Sequence, residues 1–258
     1  MIDLHTHILS GLDDGAKDLA ESLKMCQLSY RDGIETVVAT PHTLNGVYQN
    51  DRSTIIEKVR ELNEALRKLD ADSQLRTHHS ELPLSVLPGA DVHFCSDLIR
   101  RFKQGEIETV NDKGRYMMIE FPYQRVPPKA EEVLFQLLAR RIIPIITHPE
   151  RNAELLQRPQ RYYGMIRMGC LGQVTAMSLT GEFGSLVKRV AEKLLKNRLI
   201  HIIASDAHSS NGRPPILSRG LNVAATIVGK EEARRMVTEY PQSILEGRRP
   251  DIPEPIPL

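Results

Sequence analysis

The 258-residue sequence predicts an α/β domain of seven parallel strands closed into a distorted barrel, with an open doubly wound sheet as the alternative. Seven short apolar segments recur along the chain, and their continuous hydrophobicity is typical of strands buried on both faces. They are MIDL, ETVVAT, SVLPGADV, RYMMIEF, IIPIIT, LGQVTA and LIHIIAS, near residues 2, 35, 85, 115, 142, 171 and 199. Helical patterns separate them, as expected for a parallel sheet with crossover helices.

Apolar residues at helical spacing mark the connections between the strands. The first pattern has Leu19, Leu23, Cys26 and Leu28 as its apolar positions. The predicted helices span residues 19–30, 55–69, 131–139 and 186–195.

The chain is predicted to form a single domain over residues 1–248. A polar stretch at 70–85 is predicted as an irregular excursion between the second helix and the third strand. Residues 249–258 are predicted as a proline-rich C-terminal tail, extended and weakly ordered.

Composition excludes several classes of protein. The formal charge is +1, from 34 basic and 33 acidic residues, so clustered positive charge for nucleic acid or a membrane surface is not expected. The three cysteines, Cys26, Cys95 and Cys170, are far apart, which argues against a disulfide framework and fits a reducing cytoplasm. No signal peptide and no membrane insertion are expected, because charged residues interrupt the opening segment and no apolar run has spanning length. We therefore expect a cytoplasmic protein.

Histidine, aspartate or glutamate follows six of the seven apolar segments, and only LGQVTA ends without a charged group. These residues are His5, His7, His42, Asp91, Glu120, His148, Asp206 and His208. Strand carboxyl ends meet at one mouth of a parallel barrel, and residues two apart in a strand point to the same side. A single histidine at a strand end is more often a wall residue, but the repetition of such residues at six segment ends indicates a shared site. Mixed imidazole and carboxylate ligands without cysteine predict a zinc, manganese or iron site.

Six motifs carry a family resemblance that runs almost end to end: DLHTHILSGLDDGAKD, ATPH, PGADV, IEFP, THPER and ASDAHSSNGRPP. The chain resembles the polymerase-and-histidinol-phosphatase (PHP) family, and within it the bacterial manganese-dependent protein-tyrosine phosphatases of capsular and exopolysaccharide loci. The first and last motifs together make the resemblance specific. It implies a TIM-barrel-like, distorted seven-stranded α/β barrel with three metal ions, expected to be Mn²⁺, with iron or zinc as alternatives.

Carried over residue by residue, the resemblance implies nine metal ligands in three groups. These are His5, His7 and Asp206 for the first metal; Asp91, bridging to the first, with Glu120 and His148 for the second; and Asp14, His42 and His208 for the third.

Position 91 departs from the family, which usually has glutamate there, so the shorter Asp91 puts metal affinity or metal choice in question. His93 faces the same way as Asp91 and is expected to be a wall residue. Glu81 is a fallback ligand if the third strand is misplaced. Asp13 is expected to be only a loop or helix-entry residue.

The resemblance also implies a reaction, the attack of a metal-bridging hydroxide on a phosphate monoester. Arg151 and Arg213 match family arginines proposed to clamp phosphate, and guanidinium binds phosphate bidentately. The alternative is that they are rim arginines paired with surface acids. The remaining histidines, His78, His79 and His201, are expected to have no catalytic role.

The leading hypothesis is a phosphatase acting on the tyrosine-phosphorylated tail of a bacterial kinase that controls polysaccharide export. A small-molecule phosphomonoesterase of the same family, acting on histidinol phosphate or a nucleotide, is the alternative. A shallow open mouth would favour the protein tail and a deep closed pocket the metabolite. A non-enzymatic metal-binding module and a nuclease are also considered; intact ligands argue against the first, and neutral charge against the second.

The string CSDLIRR offers a rival thiol chemistry, because Cys-x5-Arg is the pattern of thiol phosphatases. Its loop has no glycine to turn successive amides toward phosphate, and it favours a helix start with Ser96 as the N-cap.

We therefore expect a chelator to abolish phosphatase activity and Cys95→Ser to leave it within about twofold of wild type, because the chemistry is assigned to metals. Both effects are measured by phosphate release from an aryl phosphate after metal reconstitution. Loss of activity in Cys95→Ser with full metal content would instead support the thiol mechanism.

Overall fold

The computed structural model describes residues 1–72 and 83–258. The strands of these residues are β1 Ile2–Thr6, β2 Thr36–Ala39, β3 His42–Thr43, β4 Ser85–Pro88, β5 Asp91–His93, β6 Tyr116–Glu120, β7 Ile143–Thr147, β8 Leu171–Thr175 and β9 Ile202–Ala204. The α-helices are α1 Leu19–Arg31, α2 Arg52–Asp72, α3 Leu98–Lys103, α4 Ala130–Ala139, α5 Ala153–Gln157, α6 Pro159–Met168, α7 Ala176–Thr180, α8 Ser185–Lys196, α9 Ser218–Val228, α10 Lys230–Arg235 and α11 Glu239–Leu245. Two 3₁₀ turns span Val110–Asp112 and Pro149–Arg151.

The strands form two parallel sheets, ordered β1-β2-β4 and β3-β5-β6-β7-β8-β9. All seven predicted segments form strands, which confirms a parallel α/β domain. The third segment divides into β4 and β5, and the short strand β3 forms just beyond the second segment, so the described residues contain nine strands in two sheets, where the sequence predicted seven strands in one closed barrel.

The division into two sheets has a local cause near Pro41. Pairing of β2 with β4 ends at Ala39 and Pro88, and pairing of β3 with β5 resumes at His42 and Asp91. Pro41 lies in the gap and lacks a donor for the ladder. The two sheets stay connected where β1 ends, because the amide of Asp206 donates to the carbonyl of His5 (2.9 Å).

The predicted helices are present, but one buries a different face. Helix α2 buries Ile55, Val59, Leu62 and Leu66, as its apolar spacing predicts. Helix α1 instead buries Ser22, Met25, Cys26 and Ser29, while Leu19 is 45% exposed. The two serines are tolerated because Ser22 and Ser29 donate to the carbonyls of Asp18 and Met25 one turn earlier.

The first residues of the predicted excursion, 70–72, are helical, because α2 continues to Asp72. Residues 73–82, with His78, His79 and Glu81, lie outside the described residues.

Residues 249–258 have no regular secondary structure, but they contact the domain. The amide of Ile256 donates to the carbonyl of Asn197 (2.9 Å), and Ile252 and Leu258 pack against the core. A domain boundary at residue 248 stays a prediction.

In the part of the chain that the structure describes, every helix is too short or too polar to cross a membrane.

Gly172 in β8 lies where a side chain has no room. A Cβ there would stand 1.9 Å from Oη of Tyr162 and 2.5 Å from the carbonyl oxygen of Leu199. We expect Gly172→Ala to lower the free energy of unfolding by about 1–3 kcal/mol, because strand and helix must separate to admit a methyl group. Urea unfolding measures the change.

The matched control is Gly164→Ala in α6, where a Cβ meets no atom within 4 Å. That substitution should raise the free energy of unfolding by about 0.5–1 kcal/mol through helix propensity. Equal stability of the two variants would contradict the close approach at Gly172.

Candidate active site

The predicted site residues converge at one end of the two sheets. His5, His42, Asp91 and Glu120 lie on strands, and the others lie in the loops that follow β1, β7 and β9. Three sets of side chains each place possible ligand atoms within 4.8 Å of one another: His5, His7 and Asp206; His42, Asp91 and Glu120; and His7, Asp14, His42 and His208. Residues separated by about two hundred positions thus form one continuous cluster.

The observed sets match the predicted ligand groups except in the second and third sets, each of which has one unexpected histidine. The first set has the same members as the predicted first group. In the second set His42 takes the place predicted for His148, although Nε2 of His148 lies 3.6 Å from Oε1 of Glu120 and 3.9 Å from Oδ2 of Asp91. The third set adds His7. His42 can join two sets because Nδ1 lies 3.4 Å from Asp91 and Nε2 lies 3.7 Å from Asp14.

Asp13 orients His7, a role that the sequence analysis missed. Its Oδ2 lies 2.6 Å from Nδ1 of His7 and accepts from the amide of His42 (2.9 Å), while Oδ1 accepts from the amide of Gly15 (2.9 Å). Burial raises the pKa of Asp13, but His7 and these amides outweigh it and lower the pKa to about 2. Asp13 is therefore a buried anion that leaves Nε2 of His7 facing the cluster.

Two other histidines are held in the same way. Nδ1 of His5 lies 3.0 Å from Oε1 of Gln173, and Nδ1 of His208 lies 2.9 Å from the carbonyl oxygen of Asp206. A metal-binding imidazole commonly uses its second nitrogen in such a bond, which fixes the ring orientation. Gln173 belongs to LGQVTA, the one segment that ends without a charged group, and a buried glutamine in an apolar strand was the available signal.

Two buried polar atoms at the centre of the cluster have no hydrogen-bond partner among the described residues. Oδ1 of Asp91 accepts from Thr147 Oγ1 (3.1 Å), but Oδ2 of Asp91 and Nδ1 of His42 make no hydrogen bond. Burial raises the pKa of Asp91, yet His5, His148 and His42 hold it well below its usual range. A buried carboxylate oxygen without a hydrogen bond is costly, and a divalent cation offsets that cost. The nitrogen and oxygen donors therefore fit a metal site of the manganese, iron or zinc type.

Asp206 connects this cluster to both predicted arginines. Its Oδ1 lies 3.4 Å from Nε2 of His5 and 3.3 Å from Nε2 of His7, while Oδ2 accepts from Nη2 of Arg151 and of Arg213. Within residues 1–72 and 83–258 each guanidinium donates no other hydrogen bond, and both Nε atoms are buried without partners. The two arginines therefore have N–H groups beside the cluster that donate no hydrogen bond, and they are not paired with surface acids.

Backbone strain accompanies this arrangement. Asp206 has φ of 52° and His148 has φ of 35°, in the left-handed region that residues other than glycine rarely occupy. Such conformations persist where the surrounding structure demands them, often at functional sites.

A cleft of about 350 Å³ opens over the cluster and the arginines. Its apolar lining is Phe121, Tyr123, Phe183 and Val187. The mouth is accessible to solvent, because Asp14 is 54% exposed and Tyr123 is 67% exposed.

His93 and Cys95 lie outside the lining of this cleft. His93 reaches the edge of the cluster, since its Nδ1 lies 3.4 Å from Oε2 of Glu120, and its role as a wall residue stays a prediction. Burial and Asp97 raise the pKa of the Cys95 thiol to about 11, which disfavours a thiolate nucleophile. Helix α3 begins at Leu98 with Asp97 at the N-cap position, so the prediction of Ser96 as the cap is wrong.

His201 lies immediately before β9, at the opposite end of the strand from the cluster. It is buried, and its Nδ1 accepts from the amide of Gly172 (3.0 Å).

Comparison with known proteins gives the family. Residues 1–246 match the family model for capsular polysaccharide synthesis, CpsB/CapC. The chain belongs to the CpsB/CapC family. It is 36% identical over 248 residues to the tyrosine-protein phosphatase YwqE of Bacillus subtilis (strain 168), covering 96% of this chain and 92% of YwqE. It is 31% identical over 252 residues to the tyrosine-protein phosphatase CpsB of Streptococcus agalactiae serotype III (strain NEM316), covering 96% and 99%.

Solved structures agree with this family assignment. A chain from the crystal structures of YwqE from Bacillus subtilis and CpsB from Streptococcus pneumoniae, described as unique metal-dependent tyrosine phosphatases, matches with a TM-score of 0.92 and 36% identity, covering 100% of this chain and 99% of that chain. A β-aspartyl dipeptidase from Fervidobacterium islandicum AW-1 matches with a TM-score of 0.51 and 13% identity, covering 95% of this chain and 72% of that chain, and shares the fold alone.

Because Asp13 holds His7 in place, we expect Asp13→Asn to weaken Mn²⁺ binding by about tenfold or more. Titration calorimetry and metal content after dialysis measure the loss. Asp18→Asn is the matched control: Asp18 caps α1 by accepting from the amide of Glu21, and asparagine caps equally well. Binding by Asp13→Asn within twofold of the control would contradict the orienting role.

Proposed function

We propose that this CpsB/CapC protein is a metal-dependent phosphatase that removes phosphate from tyrosine in protein. The observation that carries the proposal is the carboxylate of Asp206, which touches two imidazoles of the ligand cluster and two arginines. A phosphate held by those arginines would lie next to the cluster. The names of the relatives support the choice of phosphotyrosine.

The proposed site would hold three divalent or trivalent metal ions, expected to be Mn²⁺ with iron or zinc as alternatives. The ligands would be His5, His7, Asp14, His42, Asp91, Glu120, His148, Asp206 and His208. When bound, the ions supply Lewis-acid polarisation of water and phosphate. The shorter Asp91 is compatible with this role, because its Oδ2 lies 3.7 Å from Nε2 of His5 and 3.4 Å from Nδ1 of His42.

The protein's own groups then position the substrate. Arg151 and Arg213 would donate to the phosphate oxygens and balance the charge that develops on them, since guanidinium matches phosphate geometry. The side chains of Phe121, Tyr123 and Phe183 give the cleft an aromatic lining for the tyrosyl ring. A phenol leaves with a pKa of about 10, so only modest acid assistance is needed.

The substrate is proposed to be the tyrosine-phosphorylated tail of a bacterial kinase in the cytoplasm that governs polysaccharide export. The family's link to capsular polysaccharide synthesis and the accessible mouth support this choice. We further propose that the two sheets represent one distorted seven-stranded PHP barrel, supported by the hydrogen bonds between the ends of β1 and β9.

A small-molecule substrate is the alternative, and the size of the cleft supports it. A volume of about 350 Å³ is sufficient for a metabolite such as histidinol phosphate. Measured turnover of protein and small-molecule substrates distinguishes the two proposals.

The deciding experiment compares turnover by the metal-reconstituted protein of a phosphotyrosine peptide, a phosphoserine peptide, histidinol phosphate and short DNA. We expect kcat/KM for the phosphotyrosine peptide to exceed the others by at least about 100-fold, because a ring-lined cleft and a phenolate leaving group favour aryl esters. Equal or faster turnover of histidinol phosphate would overturn the protein substrate. Chelated protein is the blank for metal-independent hydrolysis.

A further inference from the structure

The turn between α7 and α8 projects an aromatic ring into the cleft. It consists of residues 181–184, Gly-Glu-Phe-Gly, and the amide of Gly184 donates to the carbonyl of Gly181 (2.9 Å). Gly181 and Gly184 have φ of +98° and +95°, which other residues rarely adopt. The tight turn places Phe183 among the residues that line the cleft.

Both arginines of the site lie over this ring. The guanidinium carbon of Arg151 is 5.0 Å from the ring centroid of Phe183, and that of Arg213 is 5.6 Å away. Both distances are within the range of about 6 Å for a cation–π interaction. One phenylalanine thus contacts two guanidinium groups that come from separate loops, after β7 and after β9.

Asp206 alone constrains each guanidinium poorly. Each donates one hydrogen bond, from Nη2 to the same oxygen of Asp206, so the plane of the group can still turn about that contact. Two positive groups side by side also repel each other. The π-face of Phe183 supplies a second contact for each group and leaves its other donors free, because a cation–π contact uses no N–H.

We propose that Phe183 is a positioning and specificity residue, which holds Arg151 and Arg213 for phosphate and offers its ring to the aromatic leaving group. This inference rests on the proposed phosphatase function. It assigns the preference for aryl esters to a particular side chain, since Phe183 lines the cleft with Phe121 and Tyr123.

The test measures binding, so that it does not depend on turnover. Titration calorimetry with Mn²⁺-loaded protein compares methylphosphonate, which probes the arginines, with phenylphosphonate, which adds the ring. The variants are Phe183→Leu, which keeps apolar volume without a π-face, and Phe183→Tyr, which keeps the ring. Phe135→Leu is the matched control, because Phe135 is 60% exposed on α4 and does not line the cleft.

We expect Phe183→Leu to bind methylphosphonate about tenfold more weakly and to lose most of the preference for phenylphosphonate. Phe183→Tyr and Phe135→Leu should stay within about twofold of wild type, at equal manganese content. Unchanged binding by Phe183→Leu, or equal losses in Phe183→Tyr and Phe183→Leu, would overturn the proposal. So would a wild-type protein that binds the two phosphonates equally.

Different measurements test the proposed function and the role of Phe183. A wild-type protein without phosphotyrosine phosphatase activity would refute the function, while the phosphonate affinities would still decide whether Phe183 positions the arginines.

Discussion

The site depends on one shared carboxylate. Asp206 is buried, and its two oxygens face different partners: Oδ1 faces the imidazoles of His5 and His7, and Oδ2 accepts from Arg151 and Arg213. Burial alone would raise its pKa, but the arginines and His5 hold it well below its usual range, so the group stays ionised. The anion keeps two guanidinium groups beside a cluster that would bind cations. Without it, like charges would drive the two guanidinium groups away from a cluster that holds cations.

Around this carboxylate, the side chains of the cluster are oriented by a second layer of residues that lie behind them. Asp13 and Gln173 bind the outer nitrogens of His7 and His5, and Thr147 binds the outer oxygen of Asp91. Each of these contacts uses one polar atom of a ligand and leaves the other directed inward. The inner atoms therefore converge: Nε2 of His5 lies 3.1 Å from Nε2 of His7, and Oδ2 of Asp91 has no hydrogen-bond partner among the described residues, an arrangement that a metal ion satisfies.

The cleft combines this charged floor with an aromatic lining. Phe183 contacts both arginines with its π-face, so the same ring serves the charged and the apolar sides of the site. A substrate that carries a phosphate on an aromatic ring matches both sides at once. This is the physical link between the geometry and the phosphatases to which the chain is related.

The sequence alone determined the seven apolar segments, the parallel α/β class and the residues that meet at the strand ends, because hydrophobic periodicity and strand-end position are local properties. It could not determine the contacts between distant residues. The loop that folds Asp13 back onto His7, six positions away, has no periodic pattern to predict that contact, and Gln173 was missed because its partner His5 lies 168 positions away.

Tertiary structure also decided which face of α1 is buried, since local hydrogen bonds of Ser22 and Ser29 allow serines to replace leucines inside. It decided where one sheet ends and the other begins: β2 pairs with β4 in the first sheet, and beyond Pro41, which lacks an N–H donor, β3 pairs with β5 in the second. Phe183 acquires a role only when loops after β7 and β9 bring two arginines to its face. The contacts of Phe183 join groups that are remote in sequence, so only folding brings them together.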